Sequence, residues 1–162
     1  MESIYVNWGG HNVKLTWMPM MEINEFTKVT SVHAVCLKQG NVLLAHIRNR
    51  GFNYPGGHLD LGESVEEALH REVHEEAYVK GDISYIGAMK VSHEENPLFD
   101  ANDKYPMNGY QAFYRMDVKN CLPFLRENES IARIWVEPEE VAYVINDHKL
   151  SILVLEEALK IS

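Results

Sequence analysis

The stretch from Gly57 to Val79, GHLDLGESVEEALHREVHEEAYV, sets a helical pattern against its own chemistry. Ser64 followed by Glu67 has the spacing of a capping box and starts a helix predicted over residues 65–78. At about 100° per residue, with Glu72 as origin, Val65, Ala68, Leu69, Glu75, Glu76 and Val79 fall within roughly 60° of Glu72. The face expected to be buried therefore begins apolar and ends in three carboxylates. Glu66, Glu67, His70 and His74 lie opposite and already satisfy solvent. A carboxylate is rarely buried without a partner, because removing its charge from water is costly. A hard divalent cation is the natural compensator, and oxygen ligands with open positions for water and phosphate describe a magnesium or manganese site.

Gly57, Glu63, Arg71, Glu72, Glu75 and Glu76, with the aliphatic Val73 and Val79, stand at the spacing G-x5-E-x7-R-E-U-x-E-E-x-G-U, where U is aliphatic. This pattern resembles the Nudix box. Six fixed identities at fixed spacing arise by chance on the order of once in ten million windows, so coincidence is not the explanation. A solvated charged helix, the usual source of an acidic run, accounts for neither the glycines nor the spacing. The one departure is Tyr78, where the pattern has glycine. A helix end there cannot rely on a residue that readily turns left-handed, and Gly81 is expected to supply the stop instead.

The resemblance implies a metal-dependent hydrolase that cleaves the diphosphate linkage of a nucleoside diphosphate joined to another group X. Nucleotides, oxidised nucleotides, nucleotide sugars and ADP-ribose are the classes it allows. It makes Glu72, Glu75 and Glu76 the catalytic residues and ligands of Mg2+ or Mn2+, with Glu72 or Glu75 alternatively facing the attacking water. It adds the carbonyl of Gly56 to the metal and pairs Glu63 with Arg71 as a brace between loop and helix. As a bare exposed ion pair, that brace would be worth only about 0 to 1 kcal/mol. Tyr54-Pro55-Gly56-Gly57 reads as a tight loop that brings backbone to the site. The family also recruits an acidic residue from a later loop, here Glu127 or Glu129; a solvated charged turn is the competing reading of RENES. A nucleotide-sensing module that binds without cleaving is the alternative function, and the intact glutamates speak against it.

Substrate contacts are fainter. Arg48 and Arg50 leave the second core strand just before the glycine loop, where they could meet phosphates, and Phe52 or Tyr54 could stack on a base. Pro97 and Tyr105, downstream of the box, do not stand at the spacing of a substrate marker. The eight histidines lack a metal-ligand spacing and are expected at the surface.

Composition bounds the rest. With 162 residues and 46% hydrophobic content, the chain is expected to form a single domain, residues 30–162 as core and residues 1–29 as an N-terminal hairpin extension. A net charge of -9 and no basic run disfavour nucleic-acid polymers as partners and leave a small phosphorylated substrate, with a homodimer open. Cys36, in the apolar run VHAVCL, is expected in the core, and with Cys121 it forms no disulfide or zinc spacing. No leader pattern and no apolar run of about 20 residues is visible, so no membrane partner is expected and a cytoplasmic location is. Strands are predicted at residues 4–8, 13–17, 30–37, 41–47, 83–91, 110–118 and 131–136, a helical turn at 138–144 and a closing helix at 149–160. The polar excursion from His93 to Asn108 is long enough to suggest a functional loop. The order gives an α/β chain of α+β type: the Nudix fold, a mixed β-sheet sandwiched between helices, with an N-terminal β-hairpin.

Overall fold

The apolar run of the third strand has no polar alternation, which is the pattern of a strand covered on both faces. The computed structural model describes residues 1–161 and shows why. Strand β3 (Val29–Lys38) lies inside a mixed sheet built with β1 (Ser3–Trp8), β2 (His11–Pro19), β4 (Asn41–Ile47), β5 (Gly51–Asn53), β6 (Gly56–His58), β7 (Val79–Ser92), β8 (Asn108–Cys121) and β9 (Ser130–Val136). The order is β1-β2-β7-β8-β3-β4-β5, with β6 paired to β3 and β9 to β4. Only β3 and β8 run parallel among these pairs; the others are antiparallel. Helix α1 (Val65–Ala77) covers one face; a 3-10 turn (Pro138–Glu140), α2 (Val141–Val144) and α3 (Leu150–Leu159) follow β9.

Period-two alternation divides the core. Val32, Ala34, Cys36 and Leu43 pack with Ala68, Leu69, Val73 and Ala77 of α1. Val35, Leu37, Val42 and Leu44 point the other way, toward Leu150, Val154, Leu155 and Ala158 of α3. The sheet between helices is thus the predicted arrangement. Val13, Leu15 and Trp17 of β2 join the α3 side, so the hairpin contributes to that core.

Several expectations need correction. Tyr54 to Gly57 does not remain a loop: Gly56 and Gly57 enter β6, paired with Val32 and His33. Gly81 does not stop the helix, because β7 already begins at Val79. Tyr78 is itself the left-handed C-cap, at φ 57 and ψ 41, with its N–H donating to the His74 carbonyl. The histidines are not uniformly superficial either. His33 is half-buried with its ring stacked on Phe113 at 5.1 Å, and His74 is half-buried beside Tyr78. For His33 the cause is strand alternation, which turns it away from Val32 and Ala34 and into a cleft.

Candidate active site

Helix α1 starts as its sequence demands. The Glu67 N–H donates to Ser64 Oγ, and the Glu67 carboxylate accepts the Ser64 N–H. Its buried face is rotated from the predicted one: Val73 and Ala77 are buried along with Ala68, Leu69 and Glu76. The three glutamates consequently form a gradient, their side chains 15%, 40% and 6% exposed at Glu72, Glu75 and Glu76. Only Glu76 lies wholly inside; Glu72 and Glu75 stand on the flank that borders the cleft.

The partners of these carboxylates come from α1 itself, from β6 and from the turn after β4. Arg71 donates through Nε to Glu63 Oε2 at 2.6 Å and through Nη2 to Glu63 Oε1 at 2.9 Å, a two-pronged bridge. The same guanidinium donates from Nη1 to Glu72 Oε1 at 3.0 Å and to Glu75 Oε2 at 3.4 Å, and from Nη2 to the His58 carbonyl. The Arg71 bond and the Asp60 N–H together hold Glu63 down at about 2. The Gly56 N–H donates to Glu76 Oε1 at 2.9 Å, while Arg50 Nη2 lies 3.8 Å from Glu76 and 3.6 Å from Glu129. Burial outweighs these contacts and pushes Glu76 up to about 7; burial also raises Glu72.

Gly56 is enforced by backbone contact, and Gly57 leaves room for the Glu72 carboxylate. A β-carbon on Gly57 would run into the Glu72 carboxylate, and one on Gly56 into the Val32 carbonyl and His33. The cleft measures about 680 Å3 and brings together Arg50, Gly56, Glu72, Glu75, Glu76 and Glu129. Asn128, Ser31, His33 and Gln111 also line it. Arg48 does not enter it; its backbone N–H donates to the Glu129 carbonyl. Glu127 does not line it either, its N–H donating to the Tyr78 hydroxyl at 2.9 Å. An adjoining cavity of about 380 Å3 shares His33, Arg50, Gly56 and Glu76 and is walled by Tyr54, Asn146 and His148. Tyr54 is buried, its hydroxyl donating to the Ser151 carbonyl.

Sequence reasoning missed His33, Gln111 and the Asn146 to His148 segment. Gln111 and His33 carried a readable sign, a polar residue interrupting an apolar strand. The segment before α3 carried none, because only the chain crossing brings it to the adjoining cavity.

Among the described residues, no three His, Cys, Asp or Glu groups converge into a closed metal cage. The carboxylates turn instead to Arg71, Arg50 and the Gly56 N–H. The donor chemistry nevertheless suits a hard cation: several carboxylates on one cleft wall, one of them deeply buried with its charge only partly compensated.

Comparison with known proteins places the chain among relatives. Over 69 residues the chain is 41% identical to "Putative 8-oxo-dGTP diphosphatase YtkD" of Bacillus subtilis (strain 168), a match covering 41% of this chain and 43% of that protein. The chain thus matches less than half the length of that relative. A variant of the Bacillus subtilis pyrophosphohydrolase BsRppH superposes with a TM-score of 0.71 at 19% identity, covering 99% of this chain and 97% of the other. The MutT NUDIX hydrolase of Burkholderia pseudomallei gives 0.57 at 18% identity, over 82% and 98%. These two likenesses show the fold. The family model of the NUDIX domain matches residues 26–154, which include the whole acidic helix and both glycines, and the chain belongs to that family.

Proposed function

We propose that the chain is a metal-dependent hydrolase of phosphoanhydride bonds in nucleotide derivatives. The observation that carries this reading is the convergence of Glu72, Glu75 and Glu76 with Arg50 and the Gly56–Gly57 backbone on one cleft. Glu72, Glu76 and the Gly56 carbonyl would hold Mg2+ or Mn2+, with Glu129 available from the loop before β9. Such an ion, when bound, neutralises phosphate oxygens and stabilises charge on the leaving phosphate.

The chain's own groups supply the rest. Arg71 keeps Glu72 turned toward the cleft while anchored on Glu63, so the brace orients a ligand through charge-assisted bonds. Glu75, the most exposed of the three, has the best access to solvent and is the candidate to take a proton from the attacking water. Arg50 lies across the cleft from this helix and offers a guanidinium to phosphate oxygens once a cation relieves it of Glu76 and Glu129. The adjoining cavity beside Tyr54 and Asn146 has room for one nucleoside. The likeness to YtkD, named a putative 8-oxo-dGTP diphosphatase, supports oxidised nucleoside triphosphates as the first substrates to try.

The test is a screen of nucleoside triphosphates, oxidised nucleotides, nucleotide sugars, ADP-ribose and dinucleoside polyphosphates with Mg2+ or Mn2+, reading phosphate and pyrophosphate release. Turnover on at least one class is expected, and its loss in chelator. Undiminished turnover in excess chelator would overturn the metal assignment. Tight nucleotide binding with no product from any class would favour a sensing module instead.

A further inference from the structure

Residues 93–107, between β7 and β8, fold back against the N-terminal hairpin and are fastened to it through one buried side chain. Asn96 is only 7% exposed, and its Nδ2 lies 2.9 Å from Nδ1 of His11 in the hairpin and 3.0 Å from Nδ1 of His93 at the base of the segment. The Leu98 N–H donates to Asn96 Oδ1 at 3.1 Å, which fixes the end of the amide that carries the oxygen. Both hydrogens of Nδ2 are thus directed at the two imidazoles. A ring nitrogen accepts a hydrogen bond only when it is bare, so both rings are neutral with their protons on Nε2. A proton on either Nδ1 would set one N–H against another inside a buried contact, and the contact would be lost.

Burial holds the His93 imidazole below its usual 6.5, with the neighbouring His11 acting in the same direction and Asp103 opposing both. The two rings stand edge-on, 6.4 Å apart. The other charged groups around them have partners of their own. The Tyr5 hydroxyl donates to Glu95 at 2.8 Å, and Lys14 Nζ lies 5.8 Å from the centre of the Tyr5 ring. Ser92 Oγ donates to Glu94, Lys104 lies over the Tyr105 ring, and His58 Nε2 meets the Tyr105 hydroxyl at 3.3 Å. Asp100 borders the same cavity as His11, His93 and Asp103. The closed form rejects a proton that the opened form accepts. Closure is therefore fully favoured above the ordinary histidine value and weakens as pH falls below it. Each pH unit below about 6.5 costs closure a factor of about ten per histidine while the closed form stays neutral.

The segment reaches from the hairpin to the acidic cleft. Its far end, Tyr105, meets His58 of β6, whose carbonyl accepts from Arg71. The cavity of about 300 Å3 that it closes with the hairpin shares Ser31, His58 and Gln111 with the cleft. We propose that Asn96, His11 and His93 form a proton-operated clasp: uptake of a proton by either imidazole at mildly acidic pH releases residues 93–107 from the hairpin and opens the wall beside the acidic cleft.

The test uses the full-length native chain without metal at pH 8 and pH 5.5, both above the range of about 4 in which carboxylates ordinarily titrate. Imidazole nitrogen chemical shifts at pH 8 should show Nδ1 bare and Nε2 protonated in both His11 and His93. A proton on Nδ1 of either ring overturns the proposal. Hydrogen exchange at the Asn96, Leu98 and Phe99 amides, corrected for the intrinsic effect of pH, should quicken about tenfold or more from pH 8 to pH 5.5 while α1 stays unchanged. No change in the segment, or an equal change in α1, overturns it. His11→Asn/His93→Asn keeps an acceptor oxygen near each Nδ1 position and removes the titration, so protection should be the same at both pH values. Asn96→Asp turns the central donor into an acceptor, and the sign reverses: the segment should be better protected at pH 5.5 than at pH 8. This second variant decides the matter should the double variant fail to fold. Either variant loosening with acid as the native chain does would assign the effect to other groups and overturn the clasp. These readouts need no turnover, so they stand or fall apart from the hydrolase reading.

Discussion

Burial pushes Glu76 to about 7 although the Gly56 N–H and Arg50 both favour its charged form. Between its ordinary 4.5 and that value, the folded metal-free chain holds a proton that the unfolded chain has lost. Stability attributable to this residue therefore falls as pH rises through the window, and the full penalty stands above pH 7. Glu76→Gln keeps an oxygen for the Gly56 N–H and removes the charge. In urea denaturation with chelator, the variant should be more stable than the native chain at pH 8, by up to about 3 kcal/mol, and equal to it at pH 4.5. The same gain at both pH values would show that burial of charge is not the cause. Turnover with metal should drop by orders of magnitude. The three glutamates were legible in the sequence as a group, since spacing along one helix is a local property. Their ranking was not, because the helix rotates to bury Val73 and Ala77, and that rotation is set by β3 and β4.

At the scale of the element, the C-terminus of α1 shows the same division. A left-handed tyrosine costs about 1 to 2 kcal/mol relative to a helical or extended conformation. Its offsets are distant. The Tyr78 hydroxyl accepts the Glu127 N–H, its ring meets Phe124 edge-on at 5.0 Å, and its carbonyl accepts the Leu122 N–H. Arg133 donates to the Ala77 and Leu122 carbonyls and ties strand β9 to the same corner. The residue that departs from the box thus tethers the loop carrying Glu129. Tyr78→Phe should cost about 1 kcal/mol, for one backbone N–H left without its acceptor. Tyr78→Gly relieves the left-handed strain but strips the packing of a buried ring, and a net loss of about 2 to 4 kcal/mol follows. Metal dependence and product identity should survive both changes. A glycine variant with a higher thermal midpoint than the native chain would show that strain outweighs the tether. The start of α1 was readable because Ser64 and Glu67 are three residues apart. Its end was not, and Gly81 is the wrong stop, because Glu127 and Phe124 approach only through the fold.

On the scale of the whole molecule, the sheet joins segments that the sequence reads as separate. Most strands were legible from apolar runs and alternation; their order was not, since β3 lies beside β8 across some seventy residues of chain. The hairpin is the clearest case, an extension by resemblance and part of the main core by packing. Trp17 of β2 is 4% exposed, lies edge-on to Phe113 of β8 at 5.7 Å, and packs in the cluster that holds α3. Truncation of so large a buried ring removes its apolar transfer energy and leaves a cavity. Trp17→Ala should therefore cost about 3 to 5 kcal/mol, a large share of the roughly 5 to 15 kcal/mol that holds a typical domain together. If hairpin and sheet are one cooperative unit, that loss lowers the urea midpoint of the entire protein, and fluorescence and far-ultraviolet circular dichroism trace one coincident transition. An early separate transition of the hairpin, or a midpoint hardly moved by the substitution, would make residues 1–19 an appendage. Phe113 stands two residues from Gln111 on β8, so in the cooperative case the same packing that fixes the hairpin also fixes the strand that brings Gln111 to the cleft.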